Sequence, residues 1–298
     1  MKVLQCPVCD SMNRRVIDAL ADHLSGERYP AARCSECGVV YLTDPPAVDE
    51  MEVHYANPAG RTMRQAPGHL FQRMQAVSFA REMKPLLSRT GRSSLLDLGA
   101  GDGALLKWAA DQGLTVAGID FFPPSEWPHV SIPYAAADLH GGRFTVDHLT
   151  APLGKAPNAV VMRHVLEHLH APREALATLA SAGVEWIYVV VPNADSLGAR
   201  LFGQSWYYWD PPRHLTFFSN STLRLILRQA GFDTVVQGHY GIDDVVTSLH
   251  RKLLLRGQNP EGIGARLTQP KGLLAGLSSA AASWWSDTVC WAVARRMK

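Results

Sequence analysis

The sequence predicts an α/β fold: an open, mainly parallel sheet with helices on both faces, preceded by a small cysteine module. Three observations predict it. Apolar runs such as "SSLLDLG", "NAVVMRH" and "VEWIYVVVPN" are nearly continuous, as in strands buried on both faces. They alternate with segments of helical spacing. Two CxxC pairs, "CPVC" and "CSEC", stand within the first 38 residues.

Size and charge fit that reading. The chain has 298 residues, 47% hydrophobic and 19% charged, enough for one large core and an appendage. Net charge is +2, so no global pull toward nucleic acid is implied. Residues 1–50 carry five basic and eight acidic side chains, and residues 251–298 eight basic and two acidic. "MKVLQCPVCD" has no apolar signal region, and "GLLAGLSSAAASWWSDTVCWAVA" is too polar to span a membrane. A soluble, cytoplasmic protein is expected.

In order along the chain, Cys6, Cys9, Cys34 and Cys37 can each point a thiolate at one ion, completing a tetrahedral S₄ shell suited to structural Zn²⁺. Residues 1–45 are therefore read as a zinc ribbon. Residues 46–92 hold a Pro-rich connector and a helix over "GHLFQRMQAVSFAREMKPLL". Residues 93–298 form the main α/β domain.

Within it, "SSLLDLG" is a strand and "DGALLKWAADQG" a helix stopped by Gly113. "TVAGID" is the second strand. "GRFTVDHL" is the next, with "SIPYAAADL" competing for that place. "NAVVMRH" and "VEWIYVVVPN" are strands around a helix over "APREALATLASAG". "SNSTLRLILRQAGF" is a helix with a Ser/Asn/Thr start and Gly231 as its stop, and "FDTVVQGHY" a strand. Residues 242–285 read as a helical insertion before a last strand in "DTVCWAVARR".

The loop "DLGAGDG" carries Gly99, Gly101 and Gly103, a pattern read as clearing backbone for a ligand at a strand's carboxyl end. Gly99, Gly101 and Ala104 also satisfy the dinucleotide fingerprint. Asp97 argues against a pyrophosphate and for a cation, such as the ammonium and sulfonium of S-adenosylmethionine. Asp120, ending "TVAGID", can accept from ribose hydroxyls, and Phe121 can lie against adenine. Asp147 is placed at the adenine amino group, with Asp138 the alternative if the third strand is misplaced. For Asp120 and Asp147 the competing reading is a helix cap.

"LLDLGAGDG", "GID", "VVMRHVLEHL" and "VVVPN" together resemble the class I S-adenosylmethionine-dependent methyltransferases. The flanking "CPVC…CSECGVVYLTDPP" and "WDPPRHLTFFSNSTLRLILRQAGF" resemble the zinc-ribbon members of that class. The resemblance spans about residues 1–240 and the last strand. It implies a Rossmann-like, seven-stranded sheet with a reversed final strand. It also implies Asp97, Gly99, Ala100 and Gly101 around the methionine part, Asp120 at the ribose and Asp147 at the adenine. The family's Pro-Gly-Gly turn before the fifth strand is missing from "SAGVEWIYVVVPN".

In that reading Arg163 and His164 lie against the cofactor beyond the fourth strand. His164, Glu167 and His168 also spell H-x-x-E-H, which on one helix could hold a second zinc. Trp206, Tyr207, Tyr208 and Trp209 are read as lining the acceptor pocket, against the alternative of a small core under the loop. His214 is the first candidate general base, with His168 and Glu167 behind it, and a structural His214 bonded to backbone is the competing reading. The expected reaction is methyl transfer to a small-molecule acceptor (metabolite, sugar or lipid precursor), on oxygen. An RNA methyltransferase reading through the ribbon, an NAD-dependent oxidoreductase and a non-catalytic cofactor binder are the alternatives. The acidic ribbon disfavours nucleic acid. Peripheral membrane contact through the basic residues 249–286 is less favoured than a solvated helical cap.

Overall fold

The structure is a computed structural model that describes residues 2–3, 5–55, 69–91, 93–121, 127–129, 131–139, 144–241, 248 and 287–298. Most of the expected helical insertion at 242–285, and the basic segment offered for membrane contact, lie outside the described residues. Among the described residues no helix is long and apolar enough to cross a membrane.

The chain runs β1 (Arg14–Ala21), β2 (Arg28–Cys34), β3 (Val40–Leu42), α1 (Met51–Tyr55), α2 (His69–Thr90), β4 (Ser94–Leu98), α3 (Ala104–Asp111), β5 (Thr115–Asp120) and β6 (Tyr134–Ala136). It continues through α4 (Val146–Thr150), β7 (Ala159–Arg163), α5 (Pro172–Ser181), β8 (Trp186–Pro192), α6 (Leu197–Phe202), β9 (Thr216–Phe217), α7 (Asn220–Gln229), β10 (Phe232–Tyr240) and β11 (Val289–Arg296).

Two compact units result: Met1–Ala47 with Val190–Leu225 and Gln237–Trp291, and Val48–Val189 with Ile226–Val236 and Ala292–Lys298. In the first, a four-stranded sheet has the order β1-β2-β3-β9 and antiparallel pairing throughout. Its last strand comes from residues 216–217, so the ribbon extends beyond the expected boundary at residue 45. Its core gathers Leu20, Tyr29, Val40 and Leu42 with Trp206, Trp209 and Phe217.

The second sheet has seven strands in the order β10-β11-β8-β7-β4-β5-β6. β4 pairs in parallel with β5 and β7, and β5 with β6. β11 is reversed: Asn193 N–H donates to Thr288 O at its start, and Arg296 N–H to Glu185 O at its end. β8 is buried at every position, as a strand covered on both faces must be. β10, at the sheet's edge, alternates buried or half-buried with exposed positions. Pro172 opens α5, where a missing N–H costs nothing. Gly231, at φ 92°, ends the turn after α7.

One strand differs from expectation. The third parallel strand is "YAA" at 134–136, and residues 146–149 of "GRFTVDHL" fall in α4. Thr145 caps that helix with a reciprocal pair to His148, a local signal that outweighed the alternation of the run.

Candidate functional site

β4 ends at Leu98 and the chain turns back toward β5: Gly99 and Ala100 N–H both donate to Ile119 O, at 2.7 and 3.1 Å. Gly99, Gly101 and Gly103 all have positive φ. They serve different ends. A Cβ at Gly99 would enter the Val165 side chain, and one at Gly103 would come within 2.6 Å of Trp127 and His129. Of the three, only at Gly101 would a Cβ meet nothing within 4 Å among the described residues. The expectation that all three glycines clear a ligand's path is corrected: two admit neighbouring side chains, and one faces open space. Asp120 fixes the open turn, accepting Gly101 N–H at Oδ2 and Phe121 N–H at Oδ1, both at 2.7 Å.

Asp97 stands opposite Gly118 of β5 and Val161 of β7. Side chains alternate along a strand, so Asp120 and Arg163, each two residues further on, share its face. Asp97 is only 3% exposed. Its Oδ1 has no hydrogen-bond partner among the described residues. Burial pushes its carboxyl up to about 7; Arg163 pulls down, while Asp120, Glu82 and Asp102 push further up. A buried acceptor left unmatched beside a carboxylate fits a ligand that brings a cationic N–H or S⁺.

Beyond β7, Arg163 Nε donates to Glu82 Oε1 of α2 at 2.7 Å, its guanidinium 5.3 Å from the Phe79 ring centre. His164 sits at φ 53°, a left-handed conformation unusual outside glycine. Its Nδ1 lies 3.2 Å from Glu167 Oε1, and Glu167 is 1% exposed. Residues 166–168 form one 3₁₀ turn. His164 and His168 therefore do not share an α-helical face, and the helical metal motif is corrected. His168 Nδ1 lies 3.1 Å from the Tyr55 hydroxyl, and the Tyr55 ring 6.0 Å from Phe121, which is 39% exposed.

Asp147 is exposed in the first turn of α4 and does not follow a strand. The position two residues past the third strand belongs to Asp138. Sequence reasoning missed Glu82 and Tyr55. The first looks like any solvated acid on a helix, and the second fell in a segment read as connector.

In the first unit the four cysteines converge. Cys6 and Cys37 Sγ are 3.6 Å apart, Cys9 and Cys34 Sγ 3.5 Å, and all four lie within 4.8 Å of one another. A tetrahedron with Zn–S near 2.3 Å has edges of about 3.8 Å, so the set fits the ion. The two knuckles match: Asp10 N–H returns to Cys6 O and Gly38 N–H to Cys34 O, at φ 58° and 82°. Against burial, the Cys37 and Glu36 N–H groups draw the Cys34 thiol down, while the Cys37 contact and burial push Cys6 up and burial pushes Cys9 up, so within the cluster Cys34 gives up its proton most readily.

The aromatic loop is a second correction. Trp206 is wholly buried, and Trp209 packs edge-on to it and to Phe217, centroids 5.2 and 4.7 Å apart. Both belong to the core under the loop, as does the partly buried Tyr208. Tyr207 alone keeps a large exposed surface. His214 is buried with Nδ1 3.0 Å from Tyr208 O. A carbonyl accepts only from N–H, so that nitrogen is spent on backbone and only Nε2 could serve as base.

The loop is held by charges that the sequence did not flag. Arg213 donates to Asp22 Oδ1 at 2.7 Å and to both oxygens of Asp210, while His23 Nδ1 lies 3.0 Å from Asp210. Burial works against the Asp210 charge, yet Arg213 and His23 keep its carboxyl well below the usual range.

The family model for the methyltransferase domain matches residues 60–237, which is 178 of the 298 residues. No curated protein matches the sequence. Among solved structures, the chain is similar to the 1,6-didemethyltoxoflavin-N1-methyltransferase of Burkholderia thailandensis, solved with 1,6-didemethyltoxoflavin and S-adenosylhomocysteine. Identity is 15%, coverage 96% of this chain and 100% of that one, and the TM-score 0.51. A SAM dependent methyltransferase from Archaeoglobus fulgidus matches at 17% identity over 76% of this chain and 98% of its own, with a TM-score of 0.47. At 15% identity the first of these likenesses is one of fold. With more than half its length matched by the domain model, on a seven-stranded sheet with a reversed last strand, the chain belongs to the S-adenosylmethionine-dependent methyltransferases.

Proposed function

We propose that this methyltransferase acts on a small-molecule acceptor, at a hydroxyl oxygen. The observation that carries the site assignment is the buried, unmatched Oδ1 of Asp97 beside the open backbone at Gly101. Asp97 receives the cofactor's cationic end, with Gly99, Ala100 and Gly101 supplying backbone along it. Asp120 takes the ribose hydroxyls and Phe121 lies against the adenine. Asp138 takes the place first given to Asp147 at the adenine amino group. His164, locked to Glu167, shapes the wall beyond β7.

Bound there, S-adenosylmethionine supplies a methyl group on a positively charged sulfur. The chain's own part is to align the acceptor, exclude water and take a proton. His168 is the preferred base, because Tyr55 fixes its ring: with Nδ1–H donating to the phenol oxygen, Nε2 carries the lone pair. Glu167 is placed to steady the resulting imidazolium, one of its oxygens lying within 4.8 Å of a ring nitrogen of His168.

Cys6, Cys9, Cys34 and Cys37 hold a structural Zn²⁺ that cross-links the two knuckles. The acidic balance of residues 1–50 argues against a grip on RNA phosphates. Cysteines kept for metal suit the reducing cytoplasm. Two experiments test the reading. Calorimetry should give heat with S-adenosylhomocysteine and none with NADH. Labelled methyl from S-adenosylmethionine should enter a small-molecule fraction of a cell extract; label in the RNA fraction instead would refute the acceptor class.

A further inference from the structure

We infer that Glu82 is a positioning residue of the cofactor site: by retaining Arg163 it keeps Asp97 available for the cofactor's cation. The inference rests on the cofactor site proposed above. The sheet register is its ground. Asp120 from β5 and Arg163 from β7 lie on the same face of the sheet as Asp97, each two residues beyond its register partner. The strongest charges acting on Asp97 among the described residues are those two, Glu82 from α2 and Asp102 from the glycine loop. Arg163 is the only cation of the four. In a site shut from water an arginine beside a buried carboxylate pairs with it and fills the acceptor that a ligand would use.

That pairing is not made. Asp97 Oδ1 has no partner among the described residues. Arg163 Nε is instead bonded to Glu82 Oε1 at 2.7 Å, and Glu82's side chain is itself 8% exposed. Phe79, one helical turn before Glu82, sits against the guanidinium and holds it on the α2 side. The helix therefore takes up the guanidinium that would compete with the ligand. Burial and the neighbouring acids leave Asp97 with an appetite for a proton or a cation, which is what a site for an ammonium and a sulfonium needs.

The test is calorimetric titration with S-adenosylhomocysteine at pH 8.5, with thermal melting as the folding control. Glu82→Gln keeps the shape and removes the charge. Its affinity should fall tenfold or more, and its remaining affinity should vary less with pH between 5 and 7, since Arg163 now neutralises Asp97. Adding Arg163→Met to Glu82→Gln removes the released guanidinium, so the double variant should bind at least threefold more tightly than Glu82→Gln. A strut without electrostatic role would leave the double variant as weak as Glu82→Gln. Unchanged affinity in Glu82→Gln, or a double variant no tighter than Glu82→Gln, would overturn the inference. An unaltered protein that gives no heat would instead sink the cofactor assignment itself.

Discussion

Replacing Asp97 by Asn should stabilise the protein without ligand while weakening its hold on the cofactor. Burial raises the Asp97 carboxyl to about 7, against an ordinary value of 3.8. The sign follows from proton linkage. Between pH 4 and 7 the folded state binds a proton that the unfolded state has released, so stability falls as pH rises. Above pH 7 both states are ionised and the full cost is present. A shift of about 3 units is worth about 4 kcal/mol, at 1.36 kcal/mol per unit. Asn copies the protonated acid in shape and lacks the charge. Urea unfolding of the ligand-free protein and the variant should therefore coincide near pH 4 and diverge by about 4 kcal/mol, the variant more stable, at pH 8.5. With S-adenosylhomocysteine the order reverses: the unaltered protein binds more tightly as pH climbs from 5 to 7 and then levels off, releasing a proton below pH 7, whereas the variant binds weakly and without that pH dependence. A stability difference that stays constant with pH, or a variant less stable at pH 8.5, would refute the account of Asp97 as an ionisable group kept for a cation.

The three glycines of the loop should separate by assay. Gly103→Ala, forced against Trp127 and His129 at positive φ, should cost about 3 kcal/mol in thermal or urea unfolding. Gly101→Ala should cost only about 1 kcal/mol yet weaken S-adenosylhomocysteine at least tenfold in calorimetry. Trp206→Ala should lower stability by about 3–5 kcal/mol in urea melts, as a core truncation does, with cofactor affinity unchanged. The purified protein should carry one zinc per chain by elemental analysis. Stripping it with a chelator should shift tryptophan emission to the red, because the ribbon's hairpins wall the core around Trp206 and Trp209.

Much of the second unit was legible from patterns that local physics imposes. Continuous apolar runs gave β4, β7 and β8, and Gly113, Pro172 and Gly231 marked helix ends. The third strand was not, because three residues of "YAA" leave little periodicity, and the capped turn at Thr145 resembled a strand in alternation. H-x-x-E-H reads as one helix face only if the segment is helical, and the left-handed His164 breaks it. The aromatic loop misled for another reason: Trp and Tyr side by side look the same whether they line a pocket or fill a core.

By itself the sequence determined most strands and helices of the second unit, the glycine turn, the acids at 97 and 120 and the two cysteine pairs, since each follows from residues close in the chain. Only the tertiary structure decided which glycine faces open space, which charge Arg163 answers and that Trp206 is core. Those outcomes depend on side chains from Phe79, Glu82, Trp127 and Val165 arriving through long-range packing. No local pattern encodes which surfaces meet.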